Sequence, residues 1–281
     1  MSDARSAHEI TQASKSNLAL SFISLPKDRR ADATKFYAFC RIVDDIADDP
    51  GPTVEEREAS LGAWKRALAA PQENEPPLAA TIRDLIERRK LDYRLFLEII
   101  DGVEMDLHGT RYVTFGDLRL YCHRVASVVG LVSIEIFGYK NPQTREYALA
   151  LGLALQLTNI VRDVAIDYAN GQRIYLPTGD MVRFGVTETD LAEGKYDDKF
   201  RALMKFQADR AGEFYADAAR LLPPEDRRNM VAAEIMHTVY YRLLARMEKD
   251  GFRVFKKKYS LSKGEKLGIM FRYFIAHWLR I

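Results

Sequence analysis

A chain of 281 residues in which 47% are hydrophobic and 29% charged carries enough apolar surface to bury a large core, and too much to remain disordered. The formal charge of +2 gives no overall field for nucleic acid, and neither a zinc-finger spacing nor an RNP-like string accompanies the basic residues, so no nucleic-acid partner is expected. The only cysteines, Cys40 in FYAFCRIV and Cys122 in LRLYCHRV, sit in apolar, aromatic surroundings that suit buried free thiols rather than a disulfide scaffold.

At the N-terminus, MSDARSAHEITQASKSN has no basic run leading into an apolar stretch, which argues against a secretory signal and favours a cytoplasmic location. Residues 1–14 are expected to be disordered. Pro26, followed by Lys27 and Asp28, opens a long helix that stops at Asp49-Pro50-Gly51-Pro52. Further helices are expected over 53–70, 78–90, 92–108, 114–138, 142–168, 197–221, 224–250 and 262–280. PQENEPP at 71–77 reads as a polar surface loop, and GQRIYLPTGD at 171–180 as a second loop. No series of alternating strands, internal repeat or linker interrupts this pattern, so residues 1–281 are expected to form one all-α domain.

No uninterrupted apolar run reaches the roughly 20 residues a membrane-spanning helix needs. The last stretch, LGIMFRYFIAHWLRI at 267–281, mixes bulky apolar side chains with Arg272, His277 and Arg280, a pattern open to packing on the core or to lying in a membrane interface. From Lys249 to Ile281 there are nine Lys or Arg, Lys257 among them, against Asp250 and Glu265. That asymmetry points to an anionic partner, either a diphosphate or the headgroups at the inner face of a membrane.

Two acidic clusters carry the chemistry. The first, Asp44, Asp45, Asp48 and Asp49, ends the long helix in FCRIVDDIADD; the second, Asn159, Asp163 and Asp167, lies in QLTNIVRDVAIDY. Within each, residues four apart share one helix face, where stacked like charges are destabilising unless a cation intervenes. A solvated helix end explains the first cluster as well. The second interrupts the apolar run ALALGLALQLTNIVRDVAIDY, where an unpaired buried carboxylate is costly. Mg²⁺ binds through one or two carboxylates together with substrate phosphate oxygens. Two facing helices of this kind could therefore clamp a diphosphate through shared ions and stabilise the charge it gains on leaving.

The strings FYAFCRIVDDIADD, YCHRVASVVG, QLTNIVRDVAIDYANGQRIYLP and YYRLLARMEKDGFRVF, in this order, resemble the squalene/phytoene synthase family from about Ser16 to Lys266. The resemblance implies an all-α isoprenoid synthase fold, a helical bundle around a central apolar cavity, that joins two identical allylic diphosphates head to head with several Mg²⁺ ions. By motif it implies Asp44 and Asp48 as the first metal-binding pair and Asn159, Asp163 and Asp167 as the second set, with Asp45 and Asp49 behind them or facing solvent. Arg41 and Arg162 match diphosphate-contacting positions, as the forked guanidinium suits. Tyr121 matches a tyrosine that assists proton transfer or steadies a carbocation. Gln156, Tyr240, Lys257 and Ser16 match substrate-contacting positions. Leu18 stands where the family commonly has an aromatic ring, so the floor of the prenyl pocket is expected to differ. His108, His123 and His237 have no zinc-like spacing and receive no role.

Within the family the strings look closer to the bacterial presqualene or squalene branch, which implies farnesyl diphosphate as substrate, with phytoene synthesis from geranylgeranyl diphosphate as the alternative. NADPH use stays open, as does oligomeric state. A non-catalytic lipid-binding or assembly protein of the same fold would have eroded acidic motifs, and here both are intact.

Overall fold

Proline has no backbone N–H to leave unpaired, and Pro26 stands immediately before helix α1 (Lys27–Asp48), its carbonyl accepting the first intrahelical bond from Arg30 at 2.8 Å. The structure, a computed structural model, describes residues 7, 9, 10, 21–109 and 111–278, so Ser16, Leu18 and most of segment 1–14 lie outside the described residues. At the end of α1 the chain turns at Asp49, whose carboxylate accepts the Gly51 N–H, and re-enters as α2 (Val54–Ala69) through a reciprocal cap between Thr53 and Glu56. Helices α3 (Ala79–Arg89) and α4 (Tyr93–Glu104) follow, and a tight turn, Met105–His108, extends α4. Phe36 and Phe39 of α1 pack edge-on against Trp64 of α2 and Phe96 of α4, which fixes the inner face of α1.

The stretch expected as one helix over 114–138 is instead α5 (Phe115–Cys122), a π turn (His123–Ser127) and α6 (Val128–Phe137). Two glycines make room for that turn. A Cβ on Gly102 of α4 would lie 2.6 Å from Arg124 Cβ, and one on Gly152 would lie 2.6 Å from Ser127 Cα. Gly152 belongs to α7 (Thr144–Ala169), whose start is held by the buried carboxylate of Asp226, acceptor for the Lys140 and Asn141 N–H groups and the Thr144 hydroxyl.

Two short helices, α8 (Thr178–Phe184) and α9 (Glu188–Ala192), were not apparent in the sequence pattern, and α8 begins inside the loop expected over 171–180. Helix α10 (Asp198–Leu221) packs along α7, with the Thr158 and Tyr215 hydroxyls 2.8 Å apart between them. Helix α11 (Val231–Lys249) and the terminal α12 (Lys263–Trp278) complete the order, and no strand occurs among the described residues. The fold is the all-α bundle expected. Its main core cluster runs from Phe22 to Tyr259. Phe115–Phe137 and Thr144–Ala169 are apolar and long enough to cross a membrane by length and composition, yet half of the apolar window in each is buried in the molecule.

Candidate active site

Helices α1 and α7 do not meet directly over their acidic ends; both line a cavity of about 280 Å³ that separates them. Arg41 and Asp44 from α1 face Gln156 and Asn159 from α7 across its polar end, and Phe22, Phe36, Val129, Phe137 and Met236 line its apolar part. Tyr121 and Tyr240 also reach it. Helical spacing places Asp48 one turn beyond Asp44, and Asp163 one turn beyond Asn159, so the two motifs reach the cavity through Asp44 and Asn159, with their remaining carboxylates just outside its lining.

Each acid already has a basic neighbour. Arg41 donates to Asp44 at 2.9 Å and also pairs with Asp45; Arg162 donates through Nε to Asp163 at 2.8 Å. Arg173, in the segment after α7, donates to Asp48 at 2.6 Å and to the Ala47 carbonyl at 3.1 Å, while its backbone N–H bonds the Asp167 carbonyl at 3.1 Å. Arg173 therefore ties the C-terminal ends of α1 and α7 together. These are the ends at which the helix dipole already disfavours negative charge, so cations are needed there twice over.

Between the two motifs stands Asp106, from the turn after α4, which accepts the Tyr121 hydroxyl at 2.9 Å and the Tyr175 hydroxyl at 2.7 Å. Tyr121 and Tyr175 stack at 5.1 Å, and Tyr112 completes a cluster of three rings. Burial, followed by the Asp106 charge, raises the Tyr121 phenol well above its usual range, so it stays protonated. Burial also raises Asp106. Asp44, although half of its side chain opens to the cavity, is enclosed by protein on most sides; desolvation, then the charge of Asp48, pushes it up to about 7. Desolvation, then Asp163, pushes Asp167 up to about 8.

The donor set suits magnesium. Asn159 Oδ1 is buried without a hydrogen-bond partner among the described residues, its amide nitrogen being 3.2 Å from Gln156 Oε1, and every other side chain of the two motifs offers carboxylate oxygen. Among the described residues no three Asp, Glu, His or Cys side chains converge on one point. An ion held here by one or two carboxylates would complete its shell with water or phosphate oxygens, as Mg²⁺ does.

Of the residues expected at the site, Arg41, Asp44, Tyr121, Gln156, Asn159 and Tyr240 line the cavity, and Asp48, Arg162, Asp163 and Asp167 join it through the contacts above. Lys257 does not: its ammonium pairs with Asp250 at 2.5 Å and lies over the Tyr259 ring, and it is not part of the cavity lining. Ser16 is outside the described residues. His108, His123 and His237 each face a glutamate, Glu58, Glu98 and Glu234, away from the cavity. Asp106, Arg173 and Tyr175 were missed. Their signals in the sequence were faint: an acid closing the apolar helix LEIIDGVEMD, and a loop directly after the second motif.

The sequence pattern of the squalene/phytoene synthase family matches residues 11–265. A 15-cis-phytoene synthase of Synechococcus elongatus is 35% identical over 275 residues, covering 92% of this chain and 88% of that protein. A presqualene diphosphate synthase of Rhodopseudomonas palustris is 36% identical over 254 residues, covering 90% of each. A crystal structure of a ligand-bound dehydrosqualene synthase superimposes with a TM-score of 0.81 at 27% identity, over 98% of this chain and 95% of that one. A cavity lined by one residue of each acidic motif and a match along nearly the whole length agree: the chain belongs to the squalene/phytoene synthase family of prenyltransferases.

Proposed function

We propose that this protein joins two farnesyl diphosphates head to head, releasing diphosphate and forming presqualene diphosphate. The observation that supports the reading is that Asp44 of α1 and Asn159 of α7, one from each acidic motif, line the polar end of one cavity whose remaining wall is largely apolar. Asp44, Asp48, Asn159, Asp163 and Asp167 would hold magnesium, which would supply positive charge to the departing diphosphate.

Arg41 and Arg162, freed from their aspartates, orient the phosphates through forked hydrogen bonds. After ionisation the allylic cation alkylates the double bond of the second molecule, and loss of a proton closes the cyclopropane. Tyr121 Oη is placed to take that proton as its own passes to Asp106, its hydrogen-bond acceptor at 2.9 Å. Phe22, Phe36, Val129 and Phe137 exclude water that would otherwise quench the cation. A second ionisation would lead on to squalene with hydride from NADPH, or to dehydrosqualene without it. Buried or half-buried free thiols at Cys40 and Cys122 support a cytoplasmic site of action.

One observation favours geranylgeranyl diphosphate instead. An apolar side chamber of about 100 Å³, reaching Leu151, Leu155 and Ala233, shares Val129, Ser133, Phe137 and Met236 with the main cavity, and offers space for a fourth isoprene unit. Incubation with Mg²⁺ and equimolar labelled farnesyl and geranylgeranyl diphosphates, with and without NADPH, separates these outcomes by chromatography. Presqualene diphosphate, or a C30 hydrocarbon made from it, is expected; phytoene would favour the longer substrate. A longer polyprenyl chain or a cyclic terpene would end the head-to-head reading. Full cellular function in Asp44→Ala and Asp163→Ala variants would favour a non-catalytic lipid-binding role.

A further inference from the structure

Helix α12 has two apolar faces, and only one of them is used by the fold. Ile269, Met270 and Tyr273 turn inward onto Ile235 and Val239 of α11, where the Tyr273 and Thr238 hydroxyls meet at 2.8 Å. On the other side, Leu267, Phe271, Phe274 and Ile275 are 58%, 66%, 37% and 40% exposed. Their spacing of i, i+4, i+7 and i+8 makes one continuous stripe along the helix.

The charge around the stripe is one-sided. Both acids of the C-terminal segment are already engaged, Asp250 by Lys257 and Tyr259, and Glu265 by Arg246 and the Ser262 N–H. Lys256, Lys258, Lys263 and Arg272 are exposed and form no ion pair among the described residues. At 3.6 residues per turn, Lys263 and Arg272 fall on either side of the stripe. The helix is also firmly seated, since the Glu265 N–H returns a bond to Ser262 Oγ at 3.2 Å and its carboxylate anchors Arg246 from α11.

We propose that this stripe docks α12 flat on an anionic lipid bilayer, with Leu267, Phe271, Phe274 and Ile275 in the acyl boundary and the flanking cations on headgroup phosphates. An apolar stripe edged by cations suits that occupant, because burial of the stripe and attraction to anionic headgroups act together. The docking goes beyond the catalytic reading and does not depend on it.

The test is sedimentation of the full chain with vesicles of equal phosphatidylglycerol and phosphatidylcholine, or of phosphatidylcholine alone. Wild type is expected to pellet with the anionic vesicles, less so as salt is raised. A variant carrying Leu267→Glu and Phe271→Glu is expected to lose binding by about tenfold or more, with turnover of detergent-dispersed substrate unchanged. Phe271→Trp, a conservative change, is expected to keep binding and to shift its emission to shorter wavelength on vesicles. Wild type remaining in the supernatant at every composition, or a double variant that pellets like wild type, overturns the proposal. So does a Phe271→Trp emission that vesicles leave unchanged, or a wild-type dimer that the double substitution dissociates in the absence of lipid binding.

Discussion

Asp106 makes a single carboxylate answer to two phenols, and that arrangement sets the behaviour of Tyr121. Tyr121→Phe keeps the ring stack but removes the hydroxyl that links the cavity to Asp106. Steady-state assays of that variant are expected to show kcat lowered by about 10²-fold or more with KM little changed, the signature of a lost proton-transfer group. Elsewhere on α1, Asp32 is 3% exposed and accepts from Arg88 at 3.0 Å and Arg89 at 2.7 Å. Burial works to raise its pKa, but the two arginines more than offset it, so the folded-state value lies below that of the unfolded chain. The stability this pair contributes is present above the unfolded pKa of about 3.9 and is lost as pH falls through the lower folded value. Urea titrations are expected to show that loss in wild type and a flatter pH response in Asp32→Asn. The shared helix faces of Asp44 with Asp48 and of Asn159 with Asp163 could be read from the sequence because they lie in a spacing of four. Asp106 and Arg173 could not, because each acts on partners tens of residues away that only the tertiary fold brings near.

The element with the greatest leverage on the site is the π turn between α5 and α6, wedged between Gly102 and Gly152. It widens the helix one residue after Cys122 and so sets the direction in which Tyr121 enters the cavity. In Gly152→Ala the added methyl would sit 2.6 Å from Ser127 Cα and 2.7 Å from the Ala126 carbonyl oxygen, both backbone atoms that cannot turn aside. Calorimetry is expected to show a loss of about 1–3 kcal/mol, and product assays a fall in activity beyond what that loss explains. The pattern of apolar residues described this region as one helix because a single extra residue in a turn leaves almost no trace in periodicity. Short helices α8 and α9 escaped for a similar reason: seven and five residues are too few for a repeat to show. The first long helix was plain, since Pro26 and the Pro50-Gly51-Pro52 break act locally.

For the molecule as a whole, the bundle brings the acidic motifs of α1 and α7 to one cavity, through Asp44 and Asn159, an arrangement that favours ligands able to engage both motifs at once. Thermal melts with Mg²⁺ and inorganic diphosphate together are expected to raise Tm by more than the sum of the two added singly, and Asp163→Asn is expected to abolish the excess. Simple additivity in wild type would mean that the motifs act independently. The fold class was legible because helical periodicity recurs through most of the chain. The substrate's length was not, because it depends on how Met236 and Ser133 divide two adjoining spaces, and on Leu18, which lies outside the described residues. At the C-terminus the sequence left core packing and membrane contact as alternatives. The inward face of α12 realises the first, and the outward face leaves room for the second.

Arg41, Arg162 and Arg173 already occupy the neighbourhood of the acids as resident counter-ions. Entry of a divalent ion is consequently an exchange, in which each displaced guanidinium needs a new anion, and only an incoming phosphate provides one. Metal titrations followed by calorimetry should accordingly be weak and shallow alone and become steep when diphosphate is supplied, a thermodynamic interlock that keeps the apparatus idle until its cargo is aboard.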